Sequence, residues 1–258
     1  MDFNETLLLS LVSFFSLFCT LTAYSATSTL ESTPNGEELL SQFDQYRGFA
    51  DKGFSFIVEN QSHNNSDSIK ENRLKVKVLS DSSVVSFLTP ERDKGRAMLK
   101  EGKNMWLYIP GTRKVIRIAP AQRLIGETSN GDVVGTTFSS GYTVETVEKV
   151  DVHSQPAWRL NLTASKEGET YSKIALWLSR ETGNKPIKSE FYSRSGKLLK
   201  TAIYESFIEV NGALKIKSMK LVDALRENKF TTMVFSQYQL EDLDSAMFNK
   251  DALRYLDF

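Results

Sequence analysis

From Gly53 onward, apolar and polar residues alternate with a period of two. That period puts successive side chains on opposite faces of an extended chain, so it predicts strands. It recurs in thirteen stretches: Phe54–Glu59, Leu74–Leu79, Val84–Thr89, Arg96–Lys100, Met105–Ile109, Lys114–Ile118, Tyr142–Val150, Ala157–Ala164, Tyr171–Ser179, Ile187–Tyr192, Leu198–Val210, Ala213–Val222 and Phe230–Leu240. Turn signals separate them, among them Pro110-Gly111, Ser195-Gly196 and Asn211-Gly212. Asn-Gly between apolar runs is the strongest short-range hairpin signal. Strand after strand with short turns predicts a mainly β chain of α+β type, with one large antiparallel sheet, curved or curled into a barrel, and no βαβ units. Two stretches read as helix. In Gly36–Gly48, Leu39, Leu40 and Phe43 form an apolar stripe and Gly48 is a stop signal. Asp244–Tyr255 reads as a short closing helix.

Several strands have a wet face. Ile174, Leu176 and Leu178 align on one side, with Lys173 on the side of Tyr171, Ala175 and Trp177. Ile187 and Phe191 oppose Lys188 and Glu190. A solvated outer face and an apolar inner face follow. Met105–Ile109 departs from this pattern. Met105, Leu107 and Ile109 point one way, Trp106 and Tyr108 the other, so both faces need an apolar cover. Pro110-Gly111 after it suits a type II turn with positive φ at Gly111. The rhythm stops at Pro120–Gly141, which holds Gly126, Gly131, Gly135 and Gly141. A connection this long in a β domain is usually functional, often a lid. Its apolar residues Leu124, Ile125, Val133, Val134 and Phe138 are the candidates for covering something.

The N-terminal residues form a different unit. Leu7–Leu21 is nearly unbroken Leu, Val, Phe and Ser, about fifteen residues, followed by Ala23-Tyr24-Ser25. That is short for a bilayer span and fits a signal peptide, residues 1–25, cleaved after Ser25. Asp2 and Glu5 with no Lys or Arg are unusual for its first residues. Residues 26–35 read as a flexible leader and 36–258 as one domain. Cys19 is the sole cysteine, and Phe18 before it does not fit a bacterial lipobox, so the exported chain has no disulfide or thiol chemistry. Export leaves 32 basic and 30 acidic residues, and no basic cluster with interleaved aromatics that would track nucleic acid. His63 and His153 sit in polar turns, and no His/Cys spacing suits a metal. No nucleophile elbow or phosphate-binding glycine loop occurs. The expectation is a protein that is not an enzyme and uses no metal or cofactor.

Three stretches carry a family resemblance. Met105-Trp106-Leu107-Tyr108-Ile109-Pro110 with the basic strand Arg113–Ile118 is one, and Gln122-Arg123-Leu124 to Ser129-Asn130-Gly131-Asp132 is another. The third runs from Ala175-Leu176-Trp177-Leu178 through Pro186–Tyr192 to Gly196-Lys197-Leu198. Together they resemble the outer membrane lipoprotein-sorting protein family, bacterial periplasmic proteins related to the carriers LolA and LolB. The resemblance covers roughly Leu39 to Tyr255. It implies a LolA-like incomplete β-barrel, with helices closing the open side around an apolar cavity for acyl chains. The cavity set it implies is Met105, Trp106, Leu107, Tyr108, Ile109, Ile116, Ile118, Ile174, Leu176, Leu178 and Phe191. Which face of Met105–Ile109 lines that cavity stays open. The implied role is a monomeric periplasmic carrier or chaperone for the acyl chains of a lipoprotein or lipid, passing them toward the outer membrane, with an inner-membrane transporter as a further partner. Its alternative is a non-carrier accessory or lipid-sensing subunit of an RND-type exporter or envelope regulator. A membrane-embedded barrel is a third reading, opposed by Lys, Glu and Arg on the outward face of the strands.

Overall fold

Alternation folds into one antiparallel sheet in this computed structural model, which describes residues 33–49, 52–64, 69–135, 137–226 and 228–256. The expected signal peptide and most of the leader, residues 1–32, lie outside the described residues. The first six strands are β1 (Phe54–His63), β2 (Lys70–Leu79), β3 (Ser82–Thr89), β4 (Ala97–Glu101), β5 (Asn104–Ile109) and β6 (Lys114–Ile118). A miniature hairpin follows, β7 (Arg123–Ile125) and β8 (Thr128–Ser129). The last seven are β9 (Tyr142–Val152), β10 (Gln155–Ala164), β11 (Lys173–Ser179), β12 (Pro186–Tyr192), β13 (Leu198–Val210), β14 (Ala213–Asp223) and β15 (Phe230–Leu240). The thirteen-stranded sheet runs β6-β5-β4-β3-β2-β1-β15-β14-β13-β12-β11-β10-β9. Each half is a meander, and the first and last strands pair at its centre, Ser62 opposite Thr231. The order ends at β6 and β9, so the sheet is not closed.

Its inner face is one apolar cluster drawn from both halves, including Phe56, Val76, Met98, Met105, Leu160, Leu176, Phe191, Tyr204 and Met233. Helix α1 (Gly36–Arg47) covers part of that face. Asn35 caps it, its side chain accepting from the N–H of Glu37 at 2.9 Å and of Glu38 at 3.4 Å. Leu39, Leu40 and Phe43 are buried, as the stripe predicted. Lys215 of β14, 1% exposed, holds the other end by donating to the carbonyls of Gln45 and Gly48. Burial brings its pKa down to about 8.

The two-faced strand β5 is now accounted for. Met105, Leu107 and Ile118 join the inner cluster. Trp106 and Tyr108 pack on the outer face with Val84, Ala97 and Leu99, under Phe248 and Leu253 of the C-terminal segment. The expected helix Asp244–Tyr255 is instead two 3-10 turns, Ser245–Met247 and Ala252–Arg254. Asn249 explains the break: its side chain accepts from the N–H groups of Asp251 and Ala252, both at 2.9 Å, in competition with a continuous helix. The Pro110-Gly111 turn also differs from expectation. It is a 3-10 turn over Pro110–Thr112, and the positive φ, 52°, falls on Arg113.

Two outcomes follow. Phe248→Ala empties the cover over Trp106 and lowers stability by about 3 kcal/mol in urea unfolding, with a red shift of tryptophan fluorescence. Lys215 has a lower pKa folded than unfolded, so the unfolded state binds its proton more tightly. Its burial therefore opposes folding below about pH 8, and the opposition fades as pH rises toward 10. Wild type should gain stability over Lys215→Met between pH 8 and about 9.5, before tyrosine ionisation intervenes.

Candidate functional site

The meander topology leaves β6 and β9 at opposite edges of the sheet. The segment joining them has to get from one edge to the other, and it does so across the inner face. It contains β7, β8 and a second helix, α2 (Asn130–Val134), all of whose residues are buried. On the way it bonds to four strands and α1. Glu127 N–H donates to Thr231 of β15 at 2.8 Å. Thr128 reaches Asn60 of β1 at 3.5 Å, and Ser83 of β3 donates to the Val134 carbonyl at 3.0 Å. Asp44 of α1 accepts from the N–H of Phe138 at 2.7 Å and of Ser139 at 2.9 Å, while Arg47 donates to the Gly135 carbonyl and stands 4.5 Å over the Phe138 ring. The fit is close. A Cβ at Gly126, whose φ is +51°, would collide with Ser62 and Thr231, and one at Gly131 with Thr170.

The expected lid is therefore a plug. Val133, Val134 and Phe138 lie within the inner cluster, Leu124 packs against it and Ile125 is half-buried. Phe138 sits 5.1 Å from Phe43 and 6.5 Å from Phe191, ring centre to ring centre. Two voids beside Arg47 measure about 30 and 20 Å³, room for about one water each.

Of the expected cavity set, Met105, Leu107, Ile118, Ile174, Leu176, Leu178 and Phe191 face this plugged interior. Trp106 and Tyr108 do not, because the strand's alternation turns them to the outer face. Ile116 lies on the edge strand and is 41% exposed, and Ile109 is half-buried just before the turn. Tyr171 was expected on the side of Lys173. It precedes β11, so alternation does not bind it, and it points inward.

At the plug's centre is a buried ion pair. The Asp132 carboxylate accepts from Lys200 Nζ, from Tyr171 OH at 2.7 Å, and from Ser129 N–H and Oγ at 2.7 and 2.8 Å. The side chains of Lys200 and Asp132 are 8% and 5% exposed. Burial by itself would raise the Asp132 carboxyl, but Lys200, Tyr171 and Ser129 outweigh it and hold it below the usual carboxylate range. Burial and then Asp132 push the Tyr171 phenol well up, so it stays a donor. Lys200 also donates to the Glu127 carbonyl at 2.7 Å, so both of its acceptors belong to the plug. Outside, a cleft of about 530 Å³ leads to Lys200 and Tyr171 and is lined at its rim by Arg123, Glu127, Asp223 and Arg226.

Sequence reasoning missed Asp132, Lys200 and Tyr171 as a group. Two signals were present. Lys200 shares the inward parity of Ala202 and Tyr204, an odd place for a cation. Ser129-Asn130-Gly131-Asp132 has capping-box spacing.

A LolA superfamily protein from Nitrosomonas europaea shares this architecture, with a TM-score of 0.79 and 28% identity over 86% of this chain and 100% of that chain. A family model described as an uncharacterized protein matches residues 80–255. The chain belongs to this family, and its fold is LolA-like. Two further structures support the fold alone. One is a candidate outer membrane lipoprotein-sorting protein domain from Vibrio parahaemolyticus, with a TM-score of 0.68 and 21% identity over 85% of this chain and 100% of that one. The other is a DUF1329 family protein from Desulfovibrio piger, with a TM-score of 0.66 and 22% identity over 84% of this chain and 97% of that one. No curated protein matches the sequence. A LolA-like fold supports a carrier-type role in general.

Removing one partner of a buried pair strands the other charge. Lys200→Met should therefore lower stability by about 3 kcal/mol or more in urea unfolding. Adding Asp132→Asn should restore much of it. Additive losses would mean that the two groups are not coupled.

Proposed function

We propose that this LolA-like chain is a periplasmic carrier, exported by residues 1–25, that holds the acyl chains of a lipoprotein or lipid inside its half-barrel and passes them toward the outer membrane. One observation carries the reading: a connecting segment lies inside the half-barrel, its Val133, Val134 and Phe138 packed among the apolar side chains of the walls and of α1. A segment anchored by hydrogen bonds and by the ion pairs Asp132–Lys200 and Glu127–Arg226 is an exchangeable occupant. Burying an acyl chain gains about 25 cal/mol per Å², and the buried area of Val133, Val134 and Phe138 that it replaces is lost, so the exchange is near balance. A carrier needs that balance, because it has to release what it binds.

A second reading has an observation behind it. Ile208 and Leu214, 38% and 42% exposed, lie near the tip of the β13–β14 hairpin, one on each face. An exposed apolar hairpin tip favours docking on another protein, as an accessory or lipid-sensing subunit of an exporter would require. Substitution of both residues by Ser should leave lipid uptake intact under the carrier reading and abolish co-purification with a membrane partner under the other.

The plug itself is the test of the carrier reading. A Cβ built at Gly131 falls 2.9 Å from Thr170 Cβ, close enough to relax to the disulfide separation of about 3.8 Å. The double variant Gly131→Cys/Thr170→Cys should take up a pyrene-labelled fatty acid only after reduction. Native mass spectrometry of gently purified wild type should show bound lipid. Uptake that is the same oxidised and reduced would sink the plug's role, and a clean mass with no uptake would sink the carrier.

A further inference from the structure

We infer that the plug is a resident mimic of the ligand, and that the ligand is an amphiphile with an anionic head whose carboxylate or phosphate takes the place of Asp132 on Lys200 and Tyr171. This inference rests on the carrier reading and adds the chemistry of the cargo.

The inner face has two ends. Its rows of apolar residues on β1, β2 and β15 run out into Asn60, Ser62, Asn72 and Thr231, all buried. The plug has the same polarity in the same direction. Its hairpin end, Glu127 to Asp132, bonds to Thr231, Asn60, Tyr171 and Lys200. Its Val133–Val134 end lies in the apolar cluster, followed by Phe138 against Phe43. A carboxylate at one end and hydrocarbon at the other is the outline of a fatty acid or of an acidic lipid.

Lys200 supplies the second observation. It is fixed on a wall strand, yet both of its acceptors belong to the plug. Withdrawal of the plug would remove both of those acceptors, and the wall carboxylate opposite Lys200, Asp223 of β14, is already engaged by Arg226, so the ammonium would be short of an anion on a largely apolar face, an arrangement that proteins avoid. A neutral lipid entering the barrel could not cure that. An anionic head could, and it would meet Tyr171 OH as a second donor already aimed at the site. The external cleft of about 530 Å³ reaches both groups, so a headgroup can approach Lys200 without first crossing the hydrocarbon interior. The rim itself is formally neutral, Arg123 and Arg226 being paired with Glu127 and Asp223, so the charge that selects an anion is Lys200.

The experiment compares a pyrene-labelled fatty acid with its methyl ester, which has the same chain and no charge. Three proteins are titrated: wild type, Asp132→Asn, and Asp132→Asn/Lys200→Met, in which no charge is left unpaired at the site. Wild type should prefer the acid by about tenfold, equivalent to about 1.4 kcal/mol. Asp132→Asn should bind the acid about tenfold tighter still, because the competing carboxylate is gone. The double variant should bind acid and ester alike. Unlabelled lysophosphatidic acid then separates the sources of the anion: displacement of the probe assigns the site to phosphate-headed lipids as well, and no displacement assigns it to carboxylates, and both support the inference. Equal binding of acid and ester by wild type and Asp132→Asn would overturn the anion assignment while the carrier reading stands. Uptake of neither probe by any of the three proteins would overturn both.

Discussion

An open sheet built from two meanders has its first and last strands at the centre and its middle strands at the edges. Everything notable about this molecule follows from that constraint. The chain leaves the first meander at β6 and enters the second at β9, and these are the two edges of the sheet. The connection between them cannot be a tight turn. It can pass outside or across the inner face, and here it crosses the inner face, bonding to β1, β3, β13 and β15 as it goes. Once inside, its backbone polar groups need partners away from water. The buried Thr231 and Ser83 supply them for Glu127 N–H and the Val134 carbonyl, and Asn60 accepts from the Thr128 hydroxyl, which is why polar side chains appear at inward positions of otherwise apolar strands.

The same constraint explains why the ion pair is placed where it is. A buried pair contributes little net stability, since desolvation offsets most of the attraction. What it does contribute is position, because only one register of the plug brings Asp132 onto Lys200 and Tyr171 together. An all-apolar plug could slide along the hydrocarbon face at small cost. With the pair made, α2 is fixed, and Arg47 and Asp44 of α1 meet its following turn at the other end. Helix, plug and wall strands are thereby tied into one unit.

How much of this was legible from residues alone depends on the length of the signal. Strands of five or more residues carry a period that can be read, and Lys114–Ile118, Leu198–Val210 and Phe230–Leu240 have the bounds that alternation predicted. Helix α1 carried both a stripe and a cap. The plug carried the capping-box spacing of Ser129 and Asp132 but no stripe, because a two-residue strand and a five-residue helix have no period to detect. Its glycines and its apolar residues marked it as special, but not as inserted. The pairing of Asp132 with Lys200 spans 68 positions, and no local rule connects them. The orientation of β5 was undecidable for a different reason. Both of its faces are apolar, so the choice rested with the C-terminal segment, whose Phe248 and Leu253 cover Trp106 and Tyr108.

That last contact bears on how the barrel could open. Trp106 and Tyr108 are held from outside by the C-terminal turns, while Met105 and Leu107 of the same strand face the plug. The wall strand β5 is therefore supported on its outer side whether or not the plug is in place. The same holds on the opposite wall, where Trp177 of β11 is backed by Lys188 at 4.0 Å and Arg159 at 5.2 Å, and Ile174 and Leu176 face in. A sheet backed on its outer face keeps its curvature when its contents change. The plug, by contrast, touches the walls and α1 through hydrogen bonds, a few rings and the ion pairs Asp132–Lys200 and Glu127–Arg226. Motion should then be confined to the segment from Arg123 to Val134, with the thirteen-stranded wall as a fixed frame, and the free energy of exchange is set by that segment and its replacement alone.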